Sequence, residues 1–334
     1  MAPNWWDPGA FEVAPGVHRV PLPLPNDGLR AVNVYIVTTP DGPVLIDSGW
    51  ALPAAEELLA AALGELGYGL PDITRFLVTH VHRDHYWQAV ELRRRFGGKV
   101  ELGAGERPTL EILWRAGDSR LTVHADRLEA LGATELAAIL REQAADRVVN
   151  PRDWEPPDVW LEPGEIPLPG GRVLEAVSTP GHTAGHLVFH DLDAALLFAG
   201  DHVLPTITPS IGFEAAAQRS PLEAFLSSLA AVRARPDATL LPAHGPVTDS
   251  VHRRVDELIS HHGHRLDEIE RAVKLGITTP AEVAAAIRWT RRGRTHDELD
   301  AQNQMLAIFE TAAHLEVLVA QNRVNRIGPH SYAG

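Results

Sequence analysis

Apolar residues run along this chain in two alternating rhythms. "AVNVYIVTT" (31–39) and "GPVLIDSG" (42–49) are β-branched runs separated by Pro40-Asp41-Gly42, which reads as two strands joined by a tight turn. "PAAEELLAAALGEL" (53–66) carries apolar residues at helical spacing and stops at Gly67. "ITRFLVTH" (73–80) predicts a short buried strand that delivers His80 at its end. Three helical patterns fill 107–149, and a Pro-rich connection covers 150–171. Strands are predicted again at 172–179, 186–191, 194–200 and 238–245, with a loop from Asp201 and a helix over 220–234 before the last. From about 250 the pattern is helical. A long helix covers 249–276, a second opens on the capping box Thr279-Pro280-x-Glu282, and a third covers 297–324 with a short strand at its end. The expected organisation is a mixed β/α body, residues 1–250 with a helical insert at about 107–149, followed by a helical tail, 251–334.

Composition narrows the chemistry. With 334 residues, 45% hydrophobic and 22% charged, the chain has the profile of an ordinary globular protein. It has no cysteine, so a transition metal would be held by imidazole and carboxylate, a donor set that suits zinc, iron or manganese. A net charge of −14 argues against a surface that as a whole attracts nucleic acid, although a local basic patch remains compatible with it. The first residues lack the basic start and apolar stretch of a signal peptide, and no apolar run approaches the ~20 residues that cross a bilayer. A cytoplasmic protein with no membrane partner is the expectation.

The densest chemistry lies in "THVHRDH", where three histidines and an aspartate fall within the six positions 80–85. On an extended backbone His80 and His82 point to one side, while Asp84 and His85 turn the other way as the strand ends. A solvated, histidine-rich loop is the competing explanation. Three further positions weigh against it: His182 in "STPGHTAGH", Asp201 in "LLFAGDH" and His244 in "LLPAHG" each follow a predicted strand directly. Gly181, Gly200 and Gly245 beside them fit tight turns in which backbone approaches the metals closely.

These segments resemble the metallo-β-lactamase superfamily. From about 17 to 250, "VLIDSG", "HVHRDH", "TPGHTAGH", "FAGD" and "PAHG" occur in that family's order. The resemblance implies an α+β fold, an αββα sandwich with two divalent metal ions between the sheet edges, zinc by preference and iron or manganese as alternatives. It implies that His80, His82 and His182 hold one ion, that Asp84, His85 and His244 hold the other, and that Asp201 bridges them. Two such ions would acidify a bridging water towards ~7 and stabilise a developing oxyanion, with Asp84 orienting the hydroxide and shuttling its proton. The implied activity is hydrolysis of an ester, thioester or lactone in a small anionic or carbonyl-bearing substrate. A ribonuclease or phosphodiesterase is the alternative, and a mononuclear persulfide-dioxygenase-like site is disfavoured by the presence of both Asp84 and His85. The tail, through "HHGHRLDEIERAVKLGITTPAEVAAAI" and "ETAAHLEVLVAQNRV", resembles the winged-helix-like domain of the lactamase-beta-2-like branch.

Weaker signals have their own expectations. Asp47 supports the site rather than reacting, His186 is scaffolding, and His202 is a loop histidine facing solvent or backbone. Trp50, Tyr86 and Trp87 are core residues before they are pocket walls. Leu110, Leu113 and Trp114 either line a pocket beneath the insert or pack it on the body. The loop over 204–212 is a candidate specificity loop. Arg288, Arg291, Arg292 and Arg294 in "RWTRRGR" could attract nucleic acid, but the first three are expected at a helix C-terminus, where the dipole favours them. Packing or homodimerisation is the preferred role of the tail. His261, His262 and His264 are assigned to a helix surface or interface rather than to a third metal.

Overall fold

Strand alternation explains the layers of the structure, a computed structural model that describes residues 4–25, 28–116, 120–145, 151–216, 218–290 and 292–334. A first sheet orders β1 (Phe11–Ala14), β2 (Val17–Pro23), β3 (Ala31–Val37), β4 (Val44–Ile46), β5 (Arg75–Val78), β6 (Lys99–Gly103) and β7 (Val159–Leu161) side by side. A second sheet orders β12 (Thr239–Pro242), β11 (Leu196–Gly200), β10 (Leu187–Asp191), β9 (Val173–Ser178) and β8 (Gly164–Pro167). Every residue of β3, β10 and β11 is buried, as expected of strands covered on both faces.

Odd and even positions of these strands enter different cores. Tyr35, Val37, Val44, Ile46 and Leu77 of the first sheet meet Leu187, Phe189, Leu196 and Phe198 of the second, which forms the layer between the sheets. Their neighbours Val34, Ile36, Leu45, Phe76 and Val78 face outward onto α1 (Pro53–Glu65), α2 (Arg83–Phe96) and α3 (Arg107–Ala116). On the far side Val188, Leu197, Ala199 and Leu240 carry α6 (Pro221–Arg233), α7 (Val251–Lys274) and α9 (Ala301–Ala320). The result is an αββα sandwich. The Ile308, Phe309 and Leu315 side chains of α9 share this last core with the sheet and with Leu128 and Leu140 of the insert.

The insert is three helices, α3, α4 (Arg120–Ala130) and α5 (Thr134–Ala145), before β7 rejoins the sheet parallel to β6. Leu110 and Leu113 are buried in the first outer core, so they pack the insert on the body, while Trp114 is exposed. The tail comprises α7, α8 (Pro280–Ala286), α9 and a two-stranded hairpin, β13 (Asn325–Gly328) with β14 (Ser331–Ala333). The expected capping box is formed: the Thr279 hydroxyl accepts from the Glu282 amide at 3.3 Å, and Glu282 accepts from the Thr279 amide at 3.0 Å. Arg288 lies two positions beyond the helix end at Ala286 rather than in its last turn. Arg292 and Arg294 are exposed, and Arg291 lies outside the described residues.

Two further expectations are corrected. The strand predicted to reach His80 stops at Val78, and His80 and His82 lie in the turn that follows. Helix α2 then begins inside the motif, at Arg83, with His82 as its N-cap. Among the described residues no helix is long and apolar enough to cross a membrane.

Candidate metal centre

The seven predicted ligands converge where strand ends of both sheets meet. Parallel β4 and β5 deliver Asp47 and the "THVHRDH" turn. From the other sheet, β9 leads to His182, and the parallel pair β11 and β12 leads to Asp201 and His244. Asp84 and His85 occupy the first turn of α2, so the turn and the helix start, rather than a strand, split the motif into two facings. Ligand atoms of His80, His82, His182 and Asp201 lie within 4.8 Å of one another, and those of Asp84, His85 and His244 form a second such group.

Asp201 faces both groups. Its Oδ2 is 3.5 Å from His182 Nε2 and 4.0 Å from His80 Nε2, while its Oδ1 is 3.4 Å from His244 Nε2 and 3.7 Å from His85 Nε2. Asp84 Oδ2 lies 3.3 Å from His244 Nε2 and 3.5 Å from His85 Nε2. His182 Nε2 sits 3.1 Å from His82 Nδ1, which makes Nδ1 the inward atom of that ring.

Hydrogen bonds behind the rings set which nitrogen is free. Asp47 can only accept, so the Thr79 hydroxyl gives its hydrogen to Asp47 at 3.0 Å and accepts from His80 Nδ1 at 3.1 Å. Asp47 Oδ2 also accepts from His85 Nδ1 at 2.8 Å, His182 Nδ1 donates to the Ser210 carbonyl at 2.8 Å, and His244 Nδ1 donates to the Ala31 carbonyl at 2.9 Å. In its neutral form each of these four rings therefore turns an Nε2 lone pair inward. Among the described residues, Nε2 of His80, His85 and His244 and Oδ1 of Asp201 are buried with no hydrogen-bond partner. Orphaned inward lone pairs of imidazole and carboxylate are what a divalent cation satisfies, so the residues fit a metal.

The charges divide in the same way. Burial holds His80 well below the usual imidazole range, and it lowers His182 with only partial opposition from Asp201. Burial also disfavours charge on His85 and His244, but there the carboxylates prevail. Asp84, Asp47 and Asp201 raise His85 well above its usual range, and Asp201 and Asp84 raise His244 to about 9. Asp84, despite its burial, is held well below the carboxylate range by His85 and His244. The pocket thus has a negative field that cations would neutralise.

Asp47 is the outer partner that the sequence suggested. It holds φ +61, in the left-handed region, a conformation that costs on the order of 1–3 kcal/mol and clusters at functional sites. Asp47→Asn, which weakens its grip on Thr79 and His85, is expected to lower divalent-metal affinity about 10–100-fold. Competition against a chromophoric chelator measures this, and an unchanged affinity would remove Asp47 from the site.

Other residues take clearer roles. His186 is scaffolding: its Nε2 accepts from the Asp201 amide at 3.2 Å, and its ring stacks on His80 at 5.0 Å. His202 is fully buried, facing the Ser228 backbone rather than solvent, with its ring 5.2 Å from that of Phe225. Tyr86 is buried in the core, while Trp50 and Trp87 are half-buried edge to face at 5.7 Å under the Arg83 guanidinium. The loop over 204–212 supports His182 through Ser210 and is pinned from both flanks. Arg254 of α7 donates to the Leu204 and Ile207 carbonyls at 2.5 and 2.8 Å, and Arg127 of α4 donates to the Gly212 and Glu214 carbonyls at 2.9 and 3.2 Å. Phe213, one position beyond that loop, was not singled out in the sequence. Its ring lies 6.1 Å from His82 and 4.7 Å from His124 of the insert, where it walls the centre. Gly181, Gly200 and Gly245 all have positive φ, but the surfaces they admit are protein, such as the Phe225 backbone at Gly181 and His186 at Gly200.

An αββα sandwich with an imidazole–carboxylate cluster at its strand ends defines the class of metal-dependent hydrolases of this fold. Residues 27–244 match the sequence profile of the Metallo-beta-lactamase superfamily, and the chain belongs to that superfamily. It is 26% identical over 246 residues to the Beta-lactamase-like protein 2 homolog of Caenorhabditis elegans, covering 74% of this chain and 66% of that one. It is 24% identical over 271 residues to the atrochrysone carboxyl ACP thioesterase of Aspergillus fumigatus, covering 78% and 69%. The crystal structure of a metallo-beta-lactamase family protein from Thermus thermophilus superposes with a TM-score of 0.78 at 28% identity, covering 96% of this chain and 99% of that one.

Proposed function

We propose that the chain is a dinuclear metal-dependent hydrolase that cleaves a thioester or ester of a small carbonyl-bearing substrate. The observation that carries this reading is Asp201, whose two oxygens face separate imidazole groups. One ion would be held by His80, His82 and His182 and the other by Asp84, His85 and His244, with Asp201 shared. When bound, such a pair supplies Lewis acidity and a water acidified to react near neutral pH, zinc being the preferred metal. Asp84, whose Oδ2 points into the second group, accepts the proton of the attacking water and returns it to the leaving group. Phe213 beside His82 offers an apolar wall for the acyl portion, and a thiolate leaving group needs little protonation. The relatives named as thioesterases support the thioester.

The test is a panel of thioesters, esters, lactones, a β-lactam, bis-p-nitrophenyl phosphate and single-stranded RNA, each run with metal-loaded chain and with Asp84→Asn. The expected result is Asp84-dependent turnover of a thioester or ester, reduced on the order of 10²–10⁴-fold in the variant. Asp84-dependent RNA or phosphodiester cleavage without carbonyl turnover would replace the proposal with the nuclease reading.

A further inference from the structure

We propose that His261, His262 and Glu310 form a second, separate site for one divalent cation of the zinc type, clamping α7 to α9. The three side chains come from two helices, and their ligand atoms lie within 4.8 Å of one another. Two imidazoles and one carboxylate are a donor set that zinc accepts, with a fourth position left to water.

The hydrogen bonds behind the cluster leave one buried lone pair free on its central residue. His314 Nδ1 donates to the Glu310 carbonyl at 2.7 Å, one helical turn back on α9. Its Nε2 must then accept, and it does so from His262 Nδ1 at 3.1 Å. That fixes the His262 tautomer and leaves its Nε2 unprotonated. This atom is fully buried and has no hydrogen-bond partner among the described residues. It is the outer-partner arrangement of a metal-bound histidine, with His314 in the place that a carboxylate or carbonyl often takes. Burial pushes the Glu310 carboxyl up to about 7, with the Arg265 guanidinium opposing.

Access and separation are both favourable. His261 is half-buried and lines an open surface groove of about 540 Å³ together with Arg253, Asp256, Glu257, Ser260 and His264, wide enough to admit a hydrated cation. His264 itself is exposed and stands outside the cluster. Phe225 of α6 packs its ring 5.5 Å from His262 and 5.2 Å from His202, and neither His202 nor Phe225 belongs to either cluster. A cation here would serve structure, holding the tail helices against α6 beneath the His182 turn.

The experiment measures zinc without activity. A full-length chain carrying His80→Ala, Asp201→Ala and His244→Ala leaves each half of the dinuclear centre two ligands at most. Loaded with Zn²⁺ and desalted, it is expected to retain one equivalent by elemental analysis. Adding Glu310→Gln or His261→Ala is expected to raise the zinc Kd at least tenfold in chelator competition, and zinc should no longer raise the Tm. If the triple variant does not fold, the same comparison in the wild-type chain reads three equivalents falling to two. Absence of the extra equivalent, or its undiminished retention in both tail variants, overturns the site and leaves His262 and His314 as an internal hydrogen-bonded pair. Hydrolysis is never read, so the outcome is independent of the activity proposed above.

Discussion

Asp201→Ala is expected to abolish activity more completely than loss of any single histidine ligand, and to cost metal in both halves of the centre. The reason is geometric. Each histidine addresses one group, whereas Asp201 presents Oδ2 to His182 and His80 and Oδ1 to His244 and His85. Outer-shell partners are worth about 10–100-fold. A shared inner carboxylate should exceed that, with kcat/KM falling on the order of 10³-fold or more. His82→Ala is the comparison, since its ring meets the His80–His182 group and leaves Asp84, His85 and His244 intact. Elemental analysis of the variants loaded with limiting zinc separates the two cases. His82→Ala should keep the second ion, and Asp201→Ala should bind both weakly. Two firmly held equivalents in Asp201→Ala would sink the bridging role and with it the dinuclear reading.

Part of the cluster was legible in the sequence because His182, Asp201 and His244 come just after strands, where pattern and chemistry coincide. A run such as "LLFAGD" announces both the strand and the residue that leaves it. The local backbone was less legible. Helix α2 starts within the motif, and its N-cap, His82, makes no side-chain capping bond, so the usual Ser, Thr or Asp signal is missing. What could not be read at all is long-range. The arginine clamps on the 204–214 loop come from residues 47 to 87 positions away, and Glu310 and His314 meet His261 and His262 only because α9 crosses α7. A histidine cluster on one helix looks like a solvated face until the partner helix supplies its acid. His202 shows the converse. The sequence left it facing solvent or backbone, and the packing of α6 decides for burial.

The same packing makes Gly181 a position where one added methyl should do large structural damage. It has φ +138, and a Cβ there would lie 2.5 Å from both Cα and Cβ of Phe225 and 2.6 Å from its amide nitrogen. These are mostly atoms of the α6 backbone, which cannot swing aside as a flexible side chain could. The turn is also tied to that helix. The Pro180 carbonyl accepts from the Ser228 hydroxyl at 2.8 Å, and the Gly181 carbonyl accepts from the Gln218 amide at 3.3 Å. Gly181→Ala must therefore push the turn off α6, and His182 is the next residue. Backbone strain of on the order of 1–3 kcal/mol adds to the steric cost, so a destabilisation of about 4 kcal/mol or more is expected. Activity should fall on the order of 10²-fold even in the folded fraction, because a shift of about 1 Å in a positioning group has that effect. Gly263→Ala is the control. It lies within α7, exposed, with open space where the methyl would go, and should gain roughly 0.8–1 kcal/mol. Urea unfolding of both variants gives the comparison. If Gly181→Ala unfolds at the wild-type midpoint, the close contact between the His182 turn and α6 is not what sets the geometry of the centre.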